Sequence, residues 1–153
     1  MSQGQIKSAY VLNFANFVEW PAGTVWSNGK VTLCVVGKNA LDGMLFELEG
    51  RKASGRDLHV VEYANQNANL RGCHLVFIGE SERHSAAAII KALENFPILI
   101  ISDIPDFSAN GGGIGLLYRG SKITFEVNLD SIKKAKLHLP GKLLNLAANI
   151  FGK

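Results

Sequence analysis

The first apolar pattern of the chain has a helical period. Between residues 5 and 19 apolar side chains recur every three or four positions, which predicts an amphipathic helix that buries Ile6, Tyr10, Phe14, Phe17 and Val18. Trp20-Pro21 should end this helix, because the residue before a proline is disfavoured in the helical region.

Shorter apolar runs then alternate with helical segments. Strands are predicted at residues 31–36, 58–63, 74–78 and 97–102, and helices at residues 40–48 and 82–95, with Asn39 and Ser81 as their caps. The second of these helices should bury Ala86, Ile89, Ile90 and Leu93. Residues 114–118 and 122–128 form a predicted hairpin across a glycine turn, and two short helices close the chain.

The order of these elements predicts the fold class. Strands that alternate with helices and are followed by a hairpin favour an α/β fold, with a mixed parallel/antiparallel sheet flanked by helices. The length suits one domain over residues 1–153.

Polar side chains lie at the ends of two predicted strands. Ser102 and Asp103 end one strand, and Glu126 and Asn128 lie near the end of another. Ligands of such sheets bind beyond the carboxyl ends of strands, which makes these positions a possible ligand pocket. The hypothesis also includes Asn13, His138 and Lys142, if all seven converge at one end of the sheet.

Catalytic patterns are weak. The glycine cluster at residues 111–115 runs into a strand, whereas a phosphate-binding loop needs a helix directly after it. The histidines show no metal-ligand spacing, and His59 and His74 are interpreted as polar residues near a sheet surface. Asp103 and Glu126 could act as an acid–base pair, but Asp103 could equally cap a turn, and Glu126 could pair with Lys142 or Lys122. The sequence therefore favours binding over catalysis, with no assigned catalytic residue, metal ligand or cofactor.

Composition narrows the function further. The net charge of +3 is spread along the chain without a basic stripe, which disfavours nucleic-acid binding. No apolar run is long enough to span a bilayer, and the first residues lack the layout of a secretory signal. Cys34 and Cys73 are either two buried thiols or one disulfide, and the residue pattern alone leaves both open.

Seven ordered blocks cover nearly the whole sequence. They are residues 9–21 (AYVLNFANFVEWP), 33–37 (LCVVG), 72–78 (GCHLVFI), 100–103 (IISD), 112–115 (GGIG), 125–129 (FEVNL) and 142–144 (KLL). Each block is weak alone, but their ordered combination is specific, and it resembles the YfiR family of bacterial periplasmic regulators.

The resemblance implies a function. It implies a periplasmic repressor, with its export signal removed, that binds the sensor domain of a membrane diguanylate cyclase of the YfiN type and lowers cyclic-di-GMP synthesis. It also implies release by an OmpA-like lipoprotein of the YfiB type, a homodimer, and a disulfide between Cys34 and Cys73. A second cysteine pair found in some members is missing here. The family's reported ligand pocket would fall near His138, and the alternative function is a small-ligand sensor that acts alone or with a histidine kinase.

Overall fold

A mixed sheet forms the centre of the molecule. The computed structural model describes residues 2–64 and 69–152. Its strands are β1 (Val31–Val36), β2 (Lys52–Ala53), β3 (Arg56–Tyr63), β4 (Leu75–Ile78), β5 (Leu99–Ser102), β6 (Ile114–Arg119), β7 (Lys122–Asn128) and β8 (Asn149–Phe151). They lie in the order β2-β3-β1-β4-β5-β6-β7-β8.

The centre of the sheet is parallel and its edges are mixed. The five central strands run parallel to one another, in the order β3, β1, β4, β5 and β6. β7 is antiparallel to β6, β2 is antiparallel to β3, and β8 is parallel to β7. The predicted α/β class, with a mixed sheet flanked by helices in a single domain, is therefore confirmed.

Helices cover both faces of the sheet. They are α1 (Gln3–Phe17), α2 (Ala86–Leu93), α3 (Leu129–Lys134) and α4 (Gly141–Leu144), and the 3₁₀ turns are Ser27–Gly29, Ala40–Leu48 and Glu80–Ser85. The core on the α1 side includes Phe14, Leu33, Phe77, Ile101 and Phe125. The core on the α2 side includes Val76, Ile89, Leu93, Ile100 and Phe107. Strands β1, β4 and β5 are apolar except at Thr32 and Ser102, because both of their faces are covered.

Helix α1 buries a different face from the one predicted. It begins with a capping box between Ser2 and Gln5. It ends at Phe17, two residues before the predicted end at residue 19. Its buried residues are Gly4, Lys7, Ser8, Val11, Phe14 and Ala15. Ile6, Tyr10 and Phe17 are only partly buried. Of the five residues predicted to be buried, Phe14 and Val18 are buried. The prediction was wrong at the other three positions, because the buried face of the helix is shifted toward Lys7, which contacts Asp103.

Two predicted helix starts are corrected. Residues 40–48 form 3₁₀ turns in place of the predicted α-helix, and they are interrupted at Leu41, Asp42 and Gly43, whose positive φ angles do not fit a right-handed helix. Asn39 is itself left-handed and makes no side-chain cap. Ser81 lies inside a 3₁₀ turn, so α2 begins only at Ala86, without a side-chain cap. Ala86, Ile89 and Leu93 are buried as predicted, whereas Ile90 is partly exposed.

The cysteines form one disulfide. Cys34 on β1 and Cys73 just before β4 are joined, with their Cα atoms 6.0 Å apart. Both lie in the core on the α2 side, at 1% and 5% exposure. The structure thus has the pairing that the resemblance implied, in place of two free thiols.

Candidate functional site

The usual ligand position of a doubly wound sheet is filled in this molecule. The chain proceeds from β1 to β3 on one side and to β4, β5 and β6 on the other, so the strand order reverses between β1 and β4. At the carboxyl end of β1, Gly37 has a φ of +110°, and an added Cβ would lie 2.7 Å from the Ser81 hydroxyl. The loops after β1 and β4 are packed together too closely there to leave a crevice.

An open cleft lies instead at the carboxyl end of β5. β5 pairs with β6 at only two positions, Ile101 with Ile114 and Ser102 with Gly115, and the β6–β7 hairpin continues beyond it. The resulting cleft has a volume of about 330 Å³, and its lining includes Lys7, Asp103, Phe107, Tyr118 and Glu126. We call this the β5 cleft.

A largely buried ion pair forms one wall of the β5 cleft. The Nζ atom of Lys7 on α1 donates to Oδ2 of Asp103 at 2.9 Å, and the two side chains are only 11% and 17% exposed. The same Nζ atom lies 5.7 Å from the ring centroid of Tyr118. The predicted turn cap at Asp103 is therefore replaced by a link between α1 and the carboxyl end of β5.

Glu126 faces the same cleft from β7. Its Oε2 accepts a hydrogen bond of 2.8 Å from Nδ2 of Asn149 on β8, so the predicted pairing with Lys142 or Lys122 was wrong. Asp103 and Glu126, two residues of the pocket hypothesis, both line the β5 cleft. With Asp106, which also lines it, the cleft combines three carboxylates, one ammonium group and two aromatic rings.

The side chains of Ser102 and Asn128 form hydrogen bonds with backbone groups. The Ser102 hydroxyl donates to the carbonyl of Ile78 and accepts from the amide of Ile104. Asn128 accepts from the amide of Ser131 at 3.1 Å, which caps α3, and donates to the carbonyl of Ser108 at 2.9 Å. These two side chains hold the loops around the cleft rather than point polar atoms into it.

The other three residues of the pocket hypothesis lie elsewhere. Asn13 is exposed on α1. His138 pairs with Glu19 in a short bridge, with Nε2 3.7 Å from Oε2. Lys142 places its Nζ atom 4.8 Å from the ring centroid of Phe17. The structure therefore brings together Asp103 and Glu126 but not Asn13, His138 and Lys142.

A cluster of one buried histidine and two tryptophans lies at the opposite edge of the sheet, where the parallel strands begin. His74 is 4% exposed, which corrects its interpretation as a surface residue. Its ring stacks on Trp26 at 4.5 Å and meets Trp20 edge-on at 6.0 Å. Burial lowers the pKa of His74 below its usual value, and the nearby Arg56 adds to this effect. A histidine directly after a cysteine, with both tryptophans of the chain upstream, was the available sequence signal for this cluster.

Other features of the described residues carry less chemistry. An apolar groove of about 240 Å³ lies between α2 and α3, where Ile90, Ile98 and Ile132 form its floor. Within residues 2–64 and 69–152, His, Cys, Asp and Glu side chains do not assemble into a group that would hold a metal ion. No helix in the same part of the chain has the length and apolar character needed to cross a membrane.

The fold and the comparisons together define a regulatory α/β domain. A model of the YfiR/HmsC-like family matches residues 4–148. The chain therefore belongs to the YfiR/HmsC-like family, a family of periplasmic regulators of the cyclic-di-GMP system rather than of enzymes.

Several solved structures are similar in fold, and one of them is a Vibrio protein. It is described as a conserved domain protein from Vibrio cholerae O1 biovar El Tor, and it superposes with a TM-score of 0.64 at 10% sequence identity. The match covers 98% of this chain and 60% of the Vibrio chain. At this identity the likeness concerns the fold alone, and this chain corresponds to about 60% of that protein's length.

Proposed function

We propose that this protein is a periplasmic repressor that binds the periplasmic sensor domain of a membrane diguanylate cyclase and lowers cyclic-di-GMP synthesis. The observation that carries the proposal is the family match, which spans residues 4–148 and so nearly all of the domain. The buried disulfide supports a periplasmic location, because such bonds persist in oxidising compartments and are rare in the cytosol.

The same proposal includes the partners that the family resemblance implies. An OmpA-like lipoprotein of the YfiB type would relieve repression by sequestering the protein, and the working form would be a homodimer. The cyclase sensor domain and the lipoprotein would both bind the protein outside the bilayer, in the periplasm.

The experiment measures cyclic-di-GMP in cells that carry the cyclase encoded nearest to this gene. Expression of the chain with an export signal should lower the cyclic-di-GMP level, whereas the same chain without an export signal should not. A cyclase whose periplasmic domain has been replaced serves as the matched control and should not respond. Equal effects on the intact and the replaced cyclase would refute the proposed site of action.

Direct binding is the second measurement. Calorimetry with the purified cyclase sensor domain and the disulfide-bonded protein should give a dissociation constant in the micromolar range or below, about −8 kcal/mol of binding free energy. Absence of heat and of co-elution at higher concentrations would contradict direct repression, even if cyclic-di-GMP levels fall.

The second candidate function is a small-ligand sensor that acts alone or with a histidine kinase. The observation that favours it is the β5 cleft, where Lys7, Asp103 and Glu126 present charges of both signs beside Tyr118. A ligand that binds only the folded state raises stability by about 2.7 kcal/mol at about 100 times its dissociation constant. Thermal-shift screening with amino acids and nucleotides tests for such a ligand.

Matched variants separate the β5 cleft from other sites. Glu126→Gln should abolish the thermal shift of a cleft ligand. His138→Gln, which alters a side chain beside Glu19 and outside the cleft lining, should leave the shift unchanged. The reverse result would move the ligand to the segment around His138, and no shift with any compound would leave the repressor proposal standing without a ligand.

A further inference from the structure

The cluster at the amino-terminal edge of the sheet uses both ring nitrogens of one buried histidine. Nδ1 of His74 accepts a hydrogen bond of 2.9 Å from the backbone amide of Thr32. Nε2 lies 2.9 Å from the carbonyl oxygen of Val25, to which it must donate, because a carbonyl only accepts. This arrangement defines a neutral imidazole that carries its proton on Nε2.

The Nδ1 contact replaces a missing bond of the sheet. Pairing between β1 and β4 begins at Leu33 and Leu75, so Thr32 lies just before the ladder. The backbone amide of His74 donates to the carbonyl of Thr32 at 2.9 Å, and the His74 ring accepts from the amide of the same residue. One side chain thus completes the ladder at the start of both central strands.

The same histidine holds the segment between α1 and β1. Nε1 of Trp20 donates to the His74 carbonyl at 3.3 Å, and the Trp26 ring stacks on the imidazole at 4.5 Å. Between these two tryptophans, the Val25 side chain is 83% exposed, while its carbonyl is bound by Nε2. The position of residues 20–26 therefore depends on the neutral form of the ring.

Protonation would break this arrangement at a defined atom. A proton on Nδ1 would face the amide hydrogen of Thr32, so two donors would meet and the acceptor would be lost. The groups that pack on His74 from residues 20–26, β1 and β5 are uncharged: Trp20, Val25, Trp26, Thr32 and Leu99. From β3 comes Arg56, whose guanidinium lies 4.5 Å from the Trp26 ring centroid and opposes a second positive charge.

We propose that His74 is an acid-sensitive latch that holds residues 20–26 against the amino-terminal edge of the sheet and releases them when its ring is protonated. The proposal is independent of the partner of the protein. It gives the domain a response to acidification that acts at the edge opposite to the β5 cleft.

The direction of the pH effect follows from the burial of the ring. The pKa of folded His74 lies below its usual value, so the unfolded chain binds the proton more readily. The stability that the latch contributes is complete above the unfolded pKa of about 6.5 and is lost as the pH falls toward the lower folded pKa.

Tryptophan fluorescence tests the proposal, because the only two tryptophans of the chain are Trp20 and Trp26. Titration from pH about 8 to about 4.5 should give one transition with a midpoint below about 6.5 in the wild type. The same transition should remain in His59→Gln, which alters an exposed histidine beside Glu49, and should vanish in His74→Asn. Arg56→Gln should raise the midpoint, because it removes the opposing charge. An equal transition in His74→Asn, or none in the wild type, would overturn the proposal.

A measurement on the wild type covers the case in which His74→Asn does not fold. NMR titration of the His74 ring and amide exchange at Thr32 should change with the same midpoint. Between the unfolded pKa of about 6.5 and that midpoint, the protection factor of the Thr32 amide should fall about tenfold for each pH unit, because the fraction of molecules with a protonated ring and an open latch rises by the same factor. A ring that titrates while the Thr32 amide stays protected, or one that stays neutral to pH about 4, would overturn the latch.

Discussion

Removal of the Cys34–Cys73 disulfide should be the most destabilising single chemical change to the fold. The bond closes a loop with a sequence separation of 39. The chain-entropy relation assigns such a loop about 13 cal/mol/K, or about 4 kcal/mol at room temperature. This is a large share of the total, because domains of this size are stable by about 5–15 kcal/mol.

The assay is urea unfolding of three samples: the oxidised wild type, the reduced wild type and Cys34→Ala/Cys73→Ala. Reduction should lower the free energy of unfolding by about 4 kcal/mol, which isolates the cross-link. The double alanine variant should lose slightly more, because the two sulfur atoms also fill a core in which they are 1% and 5% exposed.

Two results would refute this reasoning. A non-reduced mass without the loss of two hydrogens would mean that the protein as isolated holds two free thiols. A loss below about 1 kcal/mol on reduction would mean that the cross-link does not restrict the unfolded chain as the loop length requires.

Three further substitutions test individual contacts. Lys7→Met should lower the free energy of unfolding by about 3 kcal/mol in urea, because it leaves the Asp103 carboxylate without its partner. The double variant Lys7→Met/Asp103→Leu should recover most of this loss. Equal losses in the single and the double variant would contradict the pairing. Asn128→Ala should lower the free energy of unfolding by about 1 kcal/mol in thermal unfolding, because α3 loses its cap, whereas Asn128→Asp should lower it less. Identical unfolding curves for the two variants would count against the cap. Gly112→Ala should lower the free energy of unfolding in urea by about 2 kcal/mol or more, because the new Cβ would overlap the buried Phe107 ring, and Phe107→Leu in the same chain should relieve part of the cost if that contact is the cause.

The strands of the sheet were predictable because each signal is local. A buried parallel strand is a short run of apolar residues, and the runs at β1, β4 and β5 meet that description with limits within three residues. The hairpin was predictable for the same reason, since a glycine turn separates two strands. Strands β2 and β8 were missed, because Lys52–Ala53 and Asn149–Phe151 are too short to carry a period and form by pairing with β3 and β7.

The errors in the helices come from contacts that are distant in sequence. The buried face of α1 includes Lys7, a residue that apolar periodicity assigns to solvent, because its partner Asp103 is 96 positions away. The predicted helix at residues 40–48 fails where Leu41 and Asp42 adopt positive φ angles, which periodicity does not record. A local pattern establishes that a helix has an apolar side, but the rest of the fold decides which polar residues share it.

The same distinction explains which residues of the pocket hypothesis lie together in the structure. Asp103 directly follows β5 and Glu126 lies on β7, with β6 between these strands, and the register from Ser102 to Gly115 to Glu126 brings the two residues to one edge of the sheet. Asn13, His138 and Lys142 lie on helices or connections, whose rotation no strand end determines. A strand-end argument therefore locates side chains of the sheet itself and has no power over helices that pack on it. The buried His74 is the converse case, because its role depends on two backbone groups, at Val25 and Thr32, that have no signature in the sequence.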